Sequence, residues 1–323
     1  MDKRRIAVIT PVDHLQGIEE LLKTKGKRVS FIDGTNKEHV RKKLLGKKKP
    51  YNTLVCNPNQ QPFVIDKKLL EGTGIELINT ISTGMNHIDL DYCKENNIAV
   101  WSLKEDSDLL EHLPSTSELA FGLMMSLVRK IPEGRGDVMT YNWDYTPYVG
   151  RQIRGLRVGI VGMGRLGRMM SRFCEAFGTE TYFYDPYQAE DLSKWDLYAK
   201  KTDTLEELFE ECDVVSIHCH VTEETKGIIN SDILKHGKGT YLINTARGEI
   251  VDEWDVLWAL NEGHLEGYGA DVLVHEFDYL LDSPIIAAMR HPNKGHKIIV
   301  TPHVGGMTIE GQTAAYKYAI NKL

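Results

Sequence analysis

The sequence predicts an α/β protein built on two parallel β-sheets, and three observations predict it. Short β-rich runs alternate with helix-like stretches through the first hundred residues. A second alternation of the same kind begins at residue 157. At its start, RVGIVGMGRLG (157–167) places Gly162, Gly164 and Gly167 in a G-x-G-x-x-G spacing, with a β run before it and an amphipathic helix run after it. Such a turn opens a doubly wound sheet that binds a dinucleotide. Its place half-way along the chain means that a different α/β domain comes first.

The elements follow in order. RIAVIT (5–10), RVSFID (28–33), NTLVCN (52–57), IELINTI (75–81) and IAVWSL (98–103) read as strands. GIEELLKTK and DKKLLEG between them read as helices, and this half has no glycine-rich phosphate turn. A long apolar helix is expected over 117–131, followed by a polar, aromatic connection to about 150 that suits a domain boundary or an oligomer contact. Beyond RVGIVG come a helix from Arg165, strand TYFYD (181–185), and helix LEELFEEC, where Thr204 and Glu207 form a T-x-x-E capping box. Strand DVVSIHC, a helix around 230–236, strand TYLINT (240–245) and helix DEWDVLWALNEG follow. Strand YGADVL (268–273), helix SPIIAAMR, strand KIIVTP (297–302) and a last helix, GQTAAYKYAINKL, complete the chain.

Composition excludes several classes. The 323 residues suffice for two domains, and 41% hydrophobic with 26% charged residues suits buried cores in a water-soluble chain. A net charge of −7 argues against nucleic acid as a partner. The basic stretch KEHVRKKLLGKKKP (37–50) reads as a solvated helix end. Cys56, Cys93, Cys174, Cys212 and Cys219 are odd in number and scattered, which fits a reducing, cytoplasmic setting and neither zinc nor disulfides. MDKRRIAVITPVD reads as a first strand and not a signal peptide, and LAFGLMMSLV (119–128) is too short to span a bilayer.

The cofactor end reads residue by residue. Gly162 makes the tight turn, Gly164 lets the backbone approach a pyrophosphate, and Gly167 permits close helix–strand packing. The helix N-terminus offers N–H groups to the phosphates. Asp185 stands where an acid would accept ribose hydroxyls and repel a 2′-phosphate, so NAD is expected over NADP. Chemistry in an open α/β sheet lies beyond the carboxyl ends of its strands. There the sequence places Arg247, Asp271 (on a strand), Glu276 and His303. An arginine fork can grip a carboxylate and polarise the adjacent oxygen. A histidine can exchange the hydroxyl proton while hydride leaves carbon. A glutamate beside it favours the protonated ring. The set suits hydride transfer at a 2-hydroxy acid.

GIVGMGRLGR, INTARGEIVDE, GADVLVHE and TPHVGG together resemble the signatures of the NAD-dependent D-isomer-specific 2-hydroxyacid dehydrogenases, over about 75 to 310. The resemblance implies Arg247, Glu276 and His303 as the catalytic three, and Asp271 as an acid near the nicotinamide carboxamide. It implies cofactor contacts at Thr116, Arg165, Leu166, His218 and Thr245. STGMNHIDL (82–90) resembles a loop whose amides hold the substrate carboxylate, making Ser82, Thr83 and Gly84 substrate residues beside Arg247 and His303. Glu118 and Arg129 match positions on the helix that follows. It also implies a Rossmann-type NAD domain (104–302) inserted into a flavodoxin-like substrate domain (1–103 plus 303–323). His303 would then lie at the hinge, where closure completes the site. The 117–150 arm implies a homodimer.

The chain departs from the family pattern at His220, where H-x-P-L-T becomes HCHVT, and at Phe277, where a proline often follows the glutamate. Glu276 favours a hydroxy acid over formate, since formate dehydrogenases carry glutamine there. The rival reading is an NAD-sensing, corepressor-like binding protein without turnover. A short-chain dehydrogenase is disfavoured by the absence of Y-x-x-x-K beside the cofactor domain.

Overall fold

The computed structural model describes residues 4–46, 50–58, 63–276, 280–290 and 297–323. Phe277 and the lysines at 47–49 lie outside the described residues. Two compact units form, Met1–Leu113 with Gly306–Leu323, and Pro114–Gly305. The crossings therefore fall at 113/114 and 305/306, not at the expected 103 and 303. This leaves His303 in the second unit.

In the first unit, β1 (Arg4–Val8), α1 (Ile18–Lys25), β2 (Gly26–Phe31), α2 (Lys37–Leu44), β3 (Thr53–Cys56), α3 (Lys67–Leu70), β4 (Leu77–Thr80), α4 (Leu90–Glu95), β5 (Ala99–Trp101) and α5 (Ser107–Leu110) alternate. The sheet is wholly parallel in the order β2-β1-β3-β4-β5, the flavodoxin-like arrangement. Side-chain caps start α2, α3 and α4: Asn36, Asp66 and Asp89 accept from His39, Leu69 and Tyr92 N–H. Within the basic stretch, 37–44 form the whole of α2, which buries Val40 and Leu44, pairs Lys37 with Asp66 at 2.8 Å and lets Arg41 donate to the Lys68 and Leu69 carbonyls.

The second unit runs α6 (Ser115–Val128), α7 (Ile131–Met139), β6 (Arg157–Val161), α8 (Arg165–Ala176), β7 (Glu180–Tyr184), β8 (Lys200–Lys201), α9 (Leu205–Glu211), β9 (Val214–Ile217), α10 (Ser231–Leu234), β10 (Thr240–Asn244), α11 (Glu253–Glu262), β11 (Leu265–Ala270), α12 (Pro284–Met289) and β12 (Ile298–Val300). Its parallel sheet has the order β12-β11-β10-β9-β6-β7-β8. Apolar layers cover both faces. Met124 and Leu127 of α6 and Met170 of α8 pack with Val158 and Ile160, while Leu208, Val256 and Ile285 pack with Val215, Ile217 and Leu242. This is the doubly wound sheet expected, and its strand order reverses between β6 and β9.

The last helix, α13 (Ile309–Asn321), belongs to the first unit. Tyr316, Ala319 and Ile320 pack against Ile6, Val8 and Ile18, and Thr10 Oγ1 and Tyr316 OH lie 2.8 Å apart.

Three elements differ from expectation. The connection after residue 130 contains α7, a helix with no buried residue. β8 is a two-residue edge strand. β11 starts at Leu265 and ends at Ala270, so Asp271 stands just past a strand and not on one.

Candidate active site

Because the strands are parallel, their carboxyl ends share one edge, and the expected residues line it in a row. Asp185 follows β7, the glycine turn follows β6, and His218 follows β9. Thr245 and Arg247 follow β10, Asp271 and Glu276 follow β11, and His303 follows β12.

The glycine turn is built as its spacing demands. Gly162 sits at φ +91, and a Cβ there would lie 2.8 Å from the Cys219 backbone nitrogen. A Cβ on Gly167 would lie 2.2 Å from the Gly162 carbonyl oxygen. Gly164, the N-cap of α8, has no side-chain cap, and a Cβ there would meet nothing within 4 Å. That opening, at the start of α8, suits a pyrophosphate. Ser117 Oγ donates to the Leu166 carbonyl at 2.9 Å, bracing α6 against this turn. Asp185 accepts Met163 N–H and Tyr187 N–H, both at 2.9 Å, so it shapes the turn from one side. These bonds occupy part of a carboxylate's accepting capacity.

Farther along the edge, two buried polar atoms have no partner among the described residues: His218 Nδ1 and Thr245 Oγ1. His218 Nε2 lies 2.9 Å from Ser216 Oγ, and burial pushes this ring down to about 4, so it is neutral. Buried orphans cost free energy unless a ligand satisfies them. Their place between the glycine turn and Arg247 fits NAD. Held there, the cofactor would meet the α8 N-terminus, Asp185, His218 and Thr245.

The end of the edge with Arg247, Glu276 and His303 is assembled by side chains that hold loops. Asn244 accepts Ala246 N–H at 3.0 Å and donates to the Arg247 carbonyl at 2.9 Å, folding the turn that presents Arg247. A Cβ on Gly248 would lie 2.2 Å from the Leu273 carbonyl carbon, so this turn is pressed against the segment leading to Glu276. Buried Glu253 accepts Val274 N–H at 3.0 Å and Ser283 Oγ–H at 2.8 Å. Glu276 Oε1 meets His303 Nδ1 at 2.9 Å, with both side chains partly exposed.

Asp271 differs most from its sequence reading. Oδ1 accepts from Val304 N–H at 2.8 Å and Thr301 Oγ1–H at 2.5 Å, and Oδ2 accepts from Gly305 N–H at 2.7 Å. Burial raises the Asp271 carboxyl above the usual value, opposed by these bonds and by His303. Its carboxylate is thus the clasp of the loop that carries His303. Thr116 lies against the same loop, its Oγ1 3.3 Å from a Cβ built on Gly305. Sequence reasoning missed Asn244 and Glu253. Both lie in INTARGEIVDE, but their partners are set by the fold.

Ser82, Thr83 and Gly84 follow β4 in the first unit. Ser82 Oγ donates to the Gly84 carbonyl at 2.6 Å. Among the described residues, none of the backbone N–H groups of Thr83, Gly84 and Met85 donates to the protein. Glu118 and Arg129 are exposed.

Residues 121–305 match the D-isomer specific 2-hydroxyacid dehydrogenase NAD binding domain, and residues 6–110 match the catalytic domain of the same family. The chain belongs to this family. It is 34% identical over 241 residues to D-3-phosphoglycerate dehydrogenase of Bacillus subtilis, covering 74% of this chain and 43% of that one. It is 30% identical to glyoxylate reductase of Thermofilum pendens, covering 88% and 80%. D-lactate dehydrogenase of Aquifex aeolicus, solved with NAD and lactic acid, superposes with a TM-score of 0.74 at 25% identity, covering 98% and 93%. The chain spans about half the length of the phosphoglycerate dehydrogenases it matches. The glycine turn and the His303–Glu276 pair both fall within 121–305. No helix among the described residues is long and apolar enough to cross a membrane.

Proposed function

We propose that this chain interconverts a D-2-hydroxy acid and its 2-keto acid with NAD(H). The observation that carries the reading is the 2.9 Å pair of His303 Nδ1 and Glu276 Oε1, which follow the two strands next to Arg247's own on the cofactor edge. NAD supplies the hydride acceptor in oxidation and the donor in reduction. Arg247 grips the substrate carboxylate by its fork, and its charge polarises the C2 oxygen. Glu276 accepts Nδ1–H, which assigns His303 Nε2 to the proton of the C2 hydroxyl. Nε2 takes that proton in oxidation and returns it in reduction. The loop Ser82–Gly84 is proposed as a carboxylate holder through its backbone N–H groups.

The test follows NADH consumption with glyoxylate, hydroxypyruvate, pyruvate, 2-ketobutyrate and phosphohydroxypyruvate, with NADPH in parallel. Turnover of at least one acid, with NADH favoured over NADPH, supports the reading. NADH binding with no turnover of any acid would instead favour an NAD-sensing binding protein.

A homodimer is part of the proposal. Tyr141, Trp143 and Tyr145 are 98%, 89% and 83% exposed on the segment after α7, more aromatic surface than a monomer usually leaves in water. Sedimentation should give twice the chain mass, and Trp143→Ser with Tyr141→Ser should shift it toward the monomer. A reducing, cytoplasmic setting is proposed from the five unpaired cysteines, four of them buried.

A further inference from the structure

A buried histidine in the first unit stands behind the Ser82–Gly84 loop. His87 is 6% exposed, and its Nε2 lies 2.9 Å from Thr80 Oγ1. Thr80 Oγ1 lies 3.1 Å from Ser82 Oγ, and Ser82 Oγ lies 2.6 Å from the Gly84 carbonyl oxygen. The last contact fixes the direction of the whole chain. A carbonyl has no proton to give, so the proton between these oxygens comes from Ser82. Ser82 then accepts from Thr80, whose single hydroxyl proton is thereby used. Thr80 in turn accepts from His87, which must carry its proton on Nε2.

His87 Nδ1 is buried without a partner among the described residues, as a bare ring nitrogen in this tautomer. Burial pushes the ring down to about 4, which keeps it neutral. Cys56 Sγ, 4.0 Å from Nε2, is the other titratable group against the ring, and burial pushes that thiol up to about 12.

We propose that His87 is a positioning residue for the Ser82–Gly84 loop, acting through a one-way hydrogen-bond chain His87 Nε2–H, Thr80 O–H, Ser82 O–H, Gly84 C=O. The chain turns the Gly84 carbonyl toward the protein, while the N–H groups of Thr83, Gly84 and Met85 have no protein acceptor among the described residues. A loop so arranged presents donors to an anion. The inference rests on the reading that this loop holds the substrate carboxylate.

Thr80→Val keeps the shape and removes the relay, whereas Thr80→Ser keeps the relay. Both are compared in KM for the 2-keto acid that the wild type reduces best, in kcat, and in NADH Kd from fluorescence. The expected result is about a tenfold rise in KM for Thr80→Val, a smaller change in kcat and no change in NADH Kd. Thr80→Ser should stay within about twofold of wild type. Equal KM values for the two variants would overturn the proposal. Long-range proton–nitrogen NMR of the histidine-labelled wild type reads the tautomer without any substrate. An Nε2–H ring is expected, and an Nδ1–H ring would overturn the chain. A wild type that reduces no keto acid but shows the Nε2–H ring would sink the functional reading and leave the hydrogen-bond chain standing.

Discussion

His303 holds its ring on a left-handed backbone, at φ 53. A residue with a Cβ pays about 1 kcal/mol for that conformation, so something must hold it. The holder is Asp271, which binds the loop on both sides of His303. His303→Gln should lower turnover by about 10²–10⁴ while leaving NADH Kd unchanged, since a glutamine cannot exchange the proton. Loss of NADH binding in that variant would count against the base role. Asp271→Asn should keep one accepting oxygen and turn an NH₂ against a donor. Turnover should then fall by about 10–100-fold through misplacement of His303. Wild-type kcat in this variant would remove Asp271 from the positioning of the ring.

At the scale of elements, the glycine turn offers a paired test. Gly167→Ala forces a Cβ to 2.2 Å from the Gly162 carbonyl, so it should destabilise the second unit and abolish NADH binding together. Gly164→Ala meets open space and should fold normally, yet weaken NADH binding by occupying the phosphate approach. Calorimetry and an NADH titration separate the two, and tight binding by the Gly164 variant would place the phosphates elsewhere. Element legibility followed burial. β6 and β10 were readable because an apolar run between turn residues is what a covered parallel strand requires. The helix α7 was not, because it buries nothing and carries two glycines, so it leaves no apolar period. β8 is too short to have a pattern. Thr204 was readable as a cap and accepts Glu207 N–H at 3.2 Å, but the returning Glu207 carboxylate takes Asp203 N–H and not the cap's own. Residue types marked Arg247, Glu276 and His303, the three proposed to be catalytic. The loop-holding roles of Asp271 and Glu253 were hidden because their partners lie 21 to 34 positions away.

Among the described residues each unit carries one neutral, buried histidine, His87 and His218, both pushed down to about 4. Unfolded histidine titrates near 6.5. Between these values the unfolded chain binds protons that the native chain refuses, so stability falls as pH drops through this window. Each group removes up to roughly 3 kcal/mol near pH 4. The urea midpoint should decline from pH 7 to pH 5, a range above most carboxylate titration. An unchanged midpoint would show that these rings are protonated in the native state.

The docking of α13 gives this chain an order of assembly. Tyr316, Ala319 and Ile320 seal the core that begins with Ile6 and Val8, and the contact from Thr10 to Tyr316 spans 306 positions. On the ribosome, all of 114–305 is made before that seal arrives. The second unit can close on itself as soon as it emerges, whereas the first unit waits with this sheet face covered by α1 but not by α13 until that helix emerges. Its unsealed face in that interval is what a nascent-chain chaperone would meet.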